Sequence, residues 1–264
     1  SEPLVTLTGP FNAAGGGTVN VADTFGGLAP SPDGQYLWVA NTDYHRVFRI
    51  RNPLTEPVVD IMLGQTSLGG TQCNRGVVPP PNVDGSQSAD RSMLCLPGAL
   101  SLDNNGNLFV SDHFFEIDGN WRLLMFAASS FPASPESVVF GLSAAKEFPR
   151  VNPITGFAPS TFETAFDSEN RMVTGYNPYS GPRFIEYFED PTEFNPSNRS
   201  DPAYAVADGQ LEDFYGWPFA MTFDEDDNLY VYDTNRGKIM IYEHPFGEED
   251  DDDDDPGNGN GNGN

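Results

Sequence analysis

Long apolar runs are missing from this chain of 264 residues, and basic residues are few. No stretch approaches the roughly 20 apolar residues of a membrane-spanning helix, so the sequence predicts no insertion into a membrane. Lys and Arg number 13 against 39 Asp and Glu, which gives a net charge of −26. Because nucleic acid phosphates are bound mainly by Lys and Arg, this balance argues against nucleic acid as a partner.

Cysteine is also scarce. Cys73 and Cys95 are the two cysteines, and both fall in one polar, Pro-rich stretch. The economical interpretation is a disulfide, which would stabilise a loop of this size by roughly 3 kcal/mol. Disulfides persist in oxidising compartments, so the pair predicts a secreted protein. Two unrelated free thiols are the alternative.

Metal-binding patterns are weak. Three histidines could hold a zinc ion, but His45, His113 and His244 follow their strands at different offsets. The Asp-containing turns, such as 103–106 and 224–228, resemble calcium loops yet lack the EF-hand glycine and its terminal glutamate. We therefore expect these Asp side chains to set turn conformations. No cofactor is firmly implied, and calcium or zinc stays open.

What the chain does contain is a fourfold repeat of short strands. Second strands begin at Tyr36, Asn107, Asn170 and Asn228, at spacings of 71, 63 and 58 residues. Third strands open on a basic residue each time, at Arg46, Arg122, Arg183 and Lys238. Self-similarity at such a period, without helical patterns between the strands, predicts an all-β propeller of four recognisable blades. The repeated basic residues are then interpreted as blade architecture.

The termini suggest how the ring is sealed. Expected fourth strands cover 58–63, 137–142 and 203–207, but no fourth strand follows the last blade. Residues 18–23 resemble residues 203–208, so we predict that this N-terminal strand completes the last blade. It would do so in its own chain or, by exchange, in a neighbouring subunit.

This organisation gives three segments. Residues 1–17 form an N-terminal segment, 18–246 the propeller, and 247–264 an acidic, Gly/Asn-rich tail or linker. The tail cannot bury enough apolar surface to fold alone. It is interpreted as a solvated spacer, with binding of calcium or a basic partner as the alternative. Asn198 is the one glycosylation sequon.

The stretch 97–112, Pro-Gly-Ala-Leu-Ser-Leu-Asp-Asn-Asn-Gly-Asn-Leu-Phe-Val-Ser-Asp, resembles NHL-repeat β-propellers. Residues 41–47 look like the strand-to-strand loop of that family. Residues 62–65, 73–76 and 94–97 resemble secreted bacterial members, in which a Cys pair lies in a loop between blades. The resemblance covers about residues 18–246. It implies a propeller whose central face binds protein, nucleic acid or small molecules, and it includes lyases with a His-ligated zinc.

Together these observations predict a non-enzymatic extracellular or cell-surface propeller with a binding or structural role. The chain begins at Ser1, as after removal of a signal peptide. Expected partners are a protein, a glycan or copies of the chain itself, with self-assembly through strand exchange. The alternative function is an extracellular metal-dependent lyase or hydrolase with a site on the propeller axis. No nucleophile constellation supports either enzyme class.

Overall fold

A computed structural model describes residues 6–21, 26–77, 89–112, 120, 122–149, 163–176, 184–192, 208–211, 218–233 and 236–246. Their helices are 3-10 turns of three or four residues, none long enough to cross a membrane. The strands of these residues, in chain order, are β1 (Phe11–Ala13), β2 (Thr18–Val19), β3 (Leu28–Pro30), β4 (Tyr36–Asn41), β5 (Arg46–Arg51), β6 (Val58–Leu63), β7 (Leu100–Leu102), β8 (Leu108–Ser111), β9 (Arg122–Phe126), β10 (Val139–Phe140), β11 (Lys146–Pro149), β12 (Thr164–Phe166), β13 (Met172–Tyr176), β14 (Phe184–Phe188), β15 (Gly209–Leu211), β16 (Pro218–Phe223), β17 (Leu229–Asp233) and β18 (Lys238–Tyr242).

The strands form four sheets, which are successive blades of a β-propeller and are antiparallel except where β1 and β10 run parallel to β6. Blade one is built on β3–β6, blade two on β7, β8, β9 and β11, and blade three on β12–β15. Blade four contains β16–β18. The predicted all-β propeller with four recognisable blades is therefore confirmed.

Side chains alternate between the two sides of each blade, because successive strand residues point to opposite faces. In β8, Leu108 and Val110 pack toward blade one, whereas Phe109 packs toward blade three. We call the side facing the next blade in sequence the forward face, and the other side the backward face. Three apolar clusters fill the contacts between blades one and two, two and three, and three and four.

The N-terminal strand does not complete blade four, and this part of the prediction is corrected. Thr18–Val19 forms β2, which pairs with β1, and β1 runs parallel to β6 in blade one. Phe11 and Val19 pack there against Phe48 and Ile50 on the backward face of blade one. These apolar contacts explain why β1 and β2 join the β6 edge of blade one. It also brings Phe11–Ala13, expected outside the blades, into the sheet of blade one.

The outer strand of blade two also differs from expectation. Residues 137–142 were the expected fourth strand, but Lys146–Pro149 pairs with β9 instead. Val139–Phe140 leaves its own blade and runs parallel to β6, with Val139 opposite Ile61. Val138 and Phe140 pack on the apolar cluster at the backward face of blade one, which explains the exchange. In blade three Gly209–Leu211 pairs with β14, and the expected strand 203–207 lies outside the described residues.

Blade three is offset by one residue from the predicted repeat. The amides of Asp103 and Asp167 donate to the carbonyls of Asn107 and Arg171, respectively. Arg171, not Asn170, therefore occupies the position of Asn107. Because a one-residue shift exchanges the two faces of a strand, Met172 and not Val173 packs against blade two.

Candidate functional site

The two edges of the blades carry different strand connections. At one edge, which we call the turn face, first strands turn into second strands. At the other, the loop face, second strands end and linkers pass to the next blade. At the turn face, Asp103 Oδ1 accepts the amides of Asn105 (3.0 Å) and Asn107 (2.8 Å). Asp224 Oδ1 likewise accepts the amide of Asn228 (2.9 Å).

These hydrogen bonds confirm the turn-setting role predicted for the Asp residues. The backbone hydrogen bond from Asn228 is the largest influence that lowers the pKa of Asp224. A carboxylate engaged by its own loop has fewer free lone pairs for a metal ion. The Asp103 and Asp224 carboxylates are thus engaged by their own turns.

The loop face carries the first linker, which we define as residues 64–99 between β6 and β7. Cys73 and Cys95 form a disulfide within it, with their Cα atoms 4.5 Å apart. This confirms the predicted pairing and excludes the alternative of two free thiols. The disulfide ties the start of the linker to its end. The two described parts of the linker are thereby held together.

A buried polar network fixes the same linker to blade two. Asp112 Oδ1 accepts the amide of Cys95 (2.7 Å), and Oδ2 accepts Arg122 Nε (2.9 Å) and Asn120 Nδ2 (2.7 Å). The amides of Asn120 and Asn74 exchange two hydrogen bonds, of 2.7 and 2.8 Å. Burial raises the pKa of Asp112, and the Arg122 guanidinium opposes that shift. Each of these side chains is buried, so the network has a defined geometry.

Arginines add a second set of contacts to the first linker. Arg46 Nη1 donates to the carbonyl of Leu68 (2.8 Å), and Arg122 Nη2 donates to that of Met93 (2.8 Å). Arg75 Nη2 donates to the carbonyl of Ser92 (2.6 Å). Burial lowers the pKa of Arg46 to about 10. Sequence repetition predicted an architectural role for Arg46 and Arg122, but not that their acceptors are linker carbonyls.

The structure does not bring His45 and His244 together. His45 lies in the loop from β4 to β5 at the loop face, where its Nδ1 accepts the amide of Leu96 (3.1 Å). Burial lowers the pKa of His45. His244 is exposed and follows the end of β18, at the turn face. His113 lies outside the described residues, as does Asn198, and the residues described contain no cluster of three potential metal ligands.

Glu163 is a functional candidate that the sequence analysis missed. It precedes β12, the innermost strand of blade three, and lies at the loop face. Its Oε2 accepts the amide of Met221 in the innermost strand of blade four (3.0 Å). Burial raises the pKa of Glu163, while the hydrogen bond from Met221 opposes the shift. A partly buried carboxyl with a raised pKa is a recognised signal of a functional site.

The repeat itself contains the signal that would have found Glu163. The position four residues before the start of each turn is occupied, in chain order, by Gly27, Ala99, Glu163 and Ala220. Small side chains suit this position because the inner strands approach closely, and a Cβ on Gly27 would lie 2.5 Å from the amide nitrogen of Leu100. Glu163 is the one charged member of the set. Because blade architecture favours a small residue at this position, the charge of Glu163 indicates a role other than packing between blades.

No known family model matches this chain, and no curated protein matches it significantly. Among solved structures, virginiamycin B lyase from Staphylococcus aureus is 15% identical, with a TM-score of 0.38, over 82% of this chain and 54% of its own. The β-propeller domain of Myceliophteria thermophila Cps50 (Swd1) is 11% identical, with a TM-score of 0.46, over 83% and 54%. A nidogen/laminin complex gives 13% identity and a TM-score of 0.46 over 87% and 64%.

The chain thus spans between 54% and 64% of the length of these structures. At such identities the likeness concerns the β-propeller fold alone. A fold does not by itself choose between catalysis and binding. Membership of the NHL-repeat family specifically stays a prediction.

Proposed function

We propose that this chain is a non-enzymatic extracellular propeller that binds a protein or glycan partner through its loop face. The observation that carries the proposal is the way the first linker is held. A disulfide, the Asp112 network and three arginines hold the described parts of this linker at one edge of the blades. Loops held on a rigid scaffold are where binding sites commonly lie. Fixing them in advance reduces the entropy lost on binding.

An extracellular location fits the same observation. Disulfides form and persist in oxidising compartments and are rare in reducing ones. The chain pairs its two cysteines with each other. We therefore retain a secreted or cell-surface location as part of the proposal, with residues 247–264 as a spacer.

Glu163 supplies an anchor for the partner. One carboxylate oxygen is engaged by Met221, and the side chain is only partly buried at the loop face. A carboxylate in this position accepts hydrogen bonds from a hydroxyl, an amide or a cationic group. With a net charge of −26, the chain favours neutral or basic partners.

Self-assembly by exchange of residues 18–23 is not retained. Thr18–Val19 is already paired with β1 of the same chain, and Val19 is fully buried. Exchange would have to break those contacts. The proposed partner is therefore a different molecule.

The test measures binding of the purified chain to glycan arrays and to extracellular material from its source. Glu163→Gln should weaken binding at least tenfold, because it removes a charged acceptor that is partly withdrawn from water. Glu225→Gln makes the same change at an exposed turn-face position and should leave binding unchanged. A Cys73→Ser/Cys95→Ser variant should also bind more weakly, since the first linker loses its covalent tie.

Equal binding by Glu163→Gln, Glu225→Gln and the unaltered chain would contradict this placement of the site. If a bound ligand is instead cleaved by protein that holds stoichiometric zinc or calcium, the metal-dependent lyase or hydrolase replaces the binding function.

A further inference from the structure

Blade four exposes an apolar forward face. Ile239 is 67% exposed, Ile241 57% and Tyr232 42%. Tyr232 and Ile239 are directly opposite each other on β17 and β18, so they share one side of the sheet. These side chains form a contiguous surface, which we call the blade-four face.

The same positions are buried in the preceding blades. Strand pairing places Leu123 and Ile185 at the position of Ile239, since each lies opposite the equivalent residue of its second strand. Leu123 is 1% exposed and Ile185 is fully buried, each against the blade that follows. Met125, at the position of Ile241, is also buried. The blade-four face thus has the composition of a blade-to-blade interface without its covering sheet.

The chain's own complementary face is already covered. A closed ring would place the backward face of blade one against blade four. That face instead packs against the N-terminal strands, where Phe11, Ala13 and Val19 lie on Phe48 and Ile50. The acidic tail, residues 247–264, contains no aliphatic or aromatic side chain that could cover an apolar sheet. The cover must come from outside the part of the chain that the structure describes.

We propose that the blade-four face docks an antiparallel β-sheet of a separate polypeptide. The interface between blades three and four shows what such a sheet presents, namely aliphatic and aromatic side chains such as Met221, Leu229 and Val231. A second copy is disfavoured because two chains of net charge −26 repel each other, so the partner is neutral or basic. Lys238, exposed on the outermost described strand, disfavours pairing along the strand edge and leaves the face as the contact. This surface is distinct from the loop face.

The experiment places a benzophenone photocrosslinker, by maleimide chemistry, on an Ile239→Cys variant. The labelled protein is irradiated in the concentrated extracellular fraction of its source, and crosslinked peptides are sequenced by mass spectrometry. Leu54→Cys is the matched control, because Leu54 is 60% exposed but lies in the turn between β5 and β6. A second variant combines Ile239→Cys with Ile241→Asp. The melting temperature of this double variant is measured to confirm that it folds.

A supporting result has three parts. Ile239→Cys, but not Leu54→Cys, crosslinks to one other polypeptide; the crosslinked peptide alternates apolar and polar residues; and Ile241→Asp lowers the affinity of the purified partner at least tenfold. Glu163→Gln should leave this crosslink unchanged, which separates the proposal from loop-face binding. A crosslink to a second copy, equal crosslinking from both positions, or no product would overturn the proposal.

Discussion

Asp112 is the residue that joins the first linker to blade two. Its two carboxylate oxygens accept hydrogen bonds from the linker backbone at Cys95, from Asn120 and from Arg122. Both members of its ion pair with Arg122 have fully buried side chains. The sequence indicates that an acidic residue ends the second strand. Only the fold shows that the residue also holds a linker amide 17 positions earlier in the chain.

Replacing Asp112 with Ala should lower the free energy of unfolding by about 3–5 kcal/mol, because the buried Arg122 would lose its nearer carboxylate and keep only Glu147, 3.6 Å from its Nη1. Denaturant unfolding of the purified variant measures this. Glu169→Ala removes a largely exposed partner of Arg171 and should change stability by less than about 0.5 kcal/mol. Similar losses in the two variants would show that burial does not govern the Asp112 contribution.

Glu163 also titrates differently in the folded chain, because burial raises its pKa while the hydrogen bond from Met221 opposes the shift. The folded chain then holds the proton more tightly than the unfolded chain. The contribution of Glu163 to stability is therefore complete below the ordinary glutamate pKa and falls as pH rises through the raised value. Gln keeps an oxygen for the Met221 amide and carries no charge.

We expect Glu163→Gln to melt at a higher temperature than the unaltered chain at neutral pH. The difference should disappear below the ordinary glutamate pKa of about 4.3, where both side chains are neutral. Thermal melts across the acidic and neutral range test this, with Glu225→Gln as the exposed control. A difference that persists or grows at acidic pH would mean that the carboxylate form is the stabilised one.

At the scale of elements, the turn face repeats one backbone design. The fourth residue of each turn has a positive φ, and these residues are Gly34, Gly106, Asn170 and Asp227. Neighbouring turns are also joined. The Asn104 amide donates to Asn170 Oδ1 (2.8 Å), and the Ser168 amide donates to Asp227 Oδ1 (2.8 Å). The turns therefore link blades two, three and four as well as reversing the chain.

Gly34→Ala should destabilise the protein by about 1–2 kcal/mol, since an L-residue is strained in the left-handed region. The added Cβ meets nothing within 4 Å, so backbone strain is the expected cause. Gly69 also has open space but lies outside the left-handed region, and Gly69→Ala should be neutral or slightly stabilising. Denaturant midpoints of the two variants give the comparison. Equal midpoints would remove the backbone argument for the turn.

At the scale of the whole molecule, charge is the dominant property. A net charge of −26 destabilises the compact state by self-repulsion. Eight of the acidic residues lie in the tail at 248–255. The remaining excess is still large, so the propeller itself should respond to salt.

Raising NaCl from about 0.01 M to about 1 M shortens the Debye length from about 30 Å to about 3 Å and should raise the melting temperature by several degrees. A variant that ends at Phe246 should start from a higher melting temperature and show a smaller rise, because it has eight fewer negative charges to screen. Scanning calorimetry at fixed pH measures both. A melting temperature that falls with salt would show that attractive ion pairs, such as Asp112–Arg122, outweigh the repulsion.

The sequence by itself determined the local features of this protein. Short alternating strands, Asp-containing turns and a fourfold repeat depend on neighbouring residues, so their pattern indicated the blades correctly. The Cys73–Cys95 disulfide could also be predicted from the sequence, because the chain has no other cysteine.

Only the tertiary structure decided which edges pair and which faces stay open. Backbone hydrogen bonds between strands do not depend on which side chains the strands carry. The local sequence of Thr18–Val19 therefore does not determine whether this strand joins blade one or blade four. Apolar contacts with residues far away in sequence make that choice, as they do for Val139–Phe140. The hydrogen bond from the Met221 amide to Glu163 and the exposure of Ile239 likewise depend on how the blades pack together. Both proposed binding surfaces therefore depend on contacts that form only when the blades assemble.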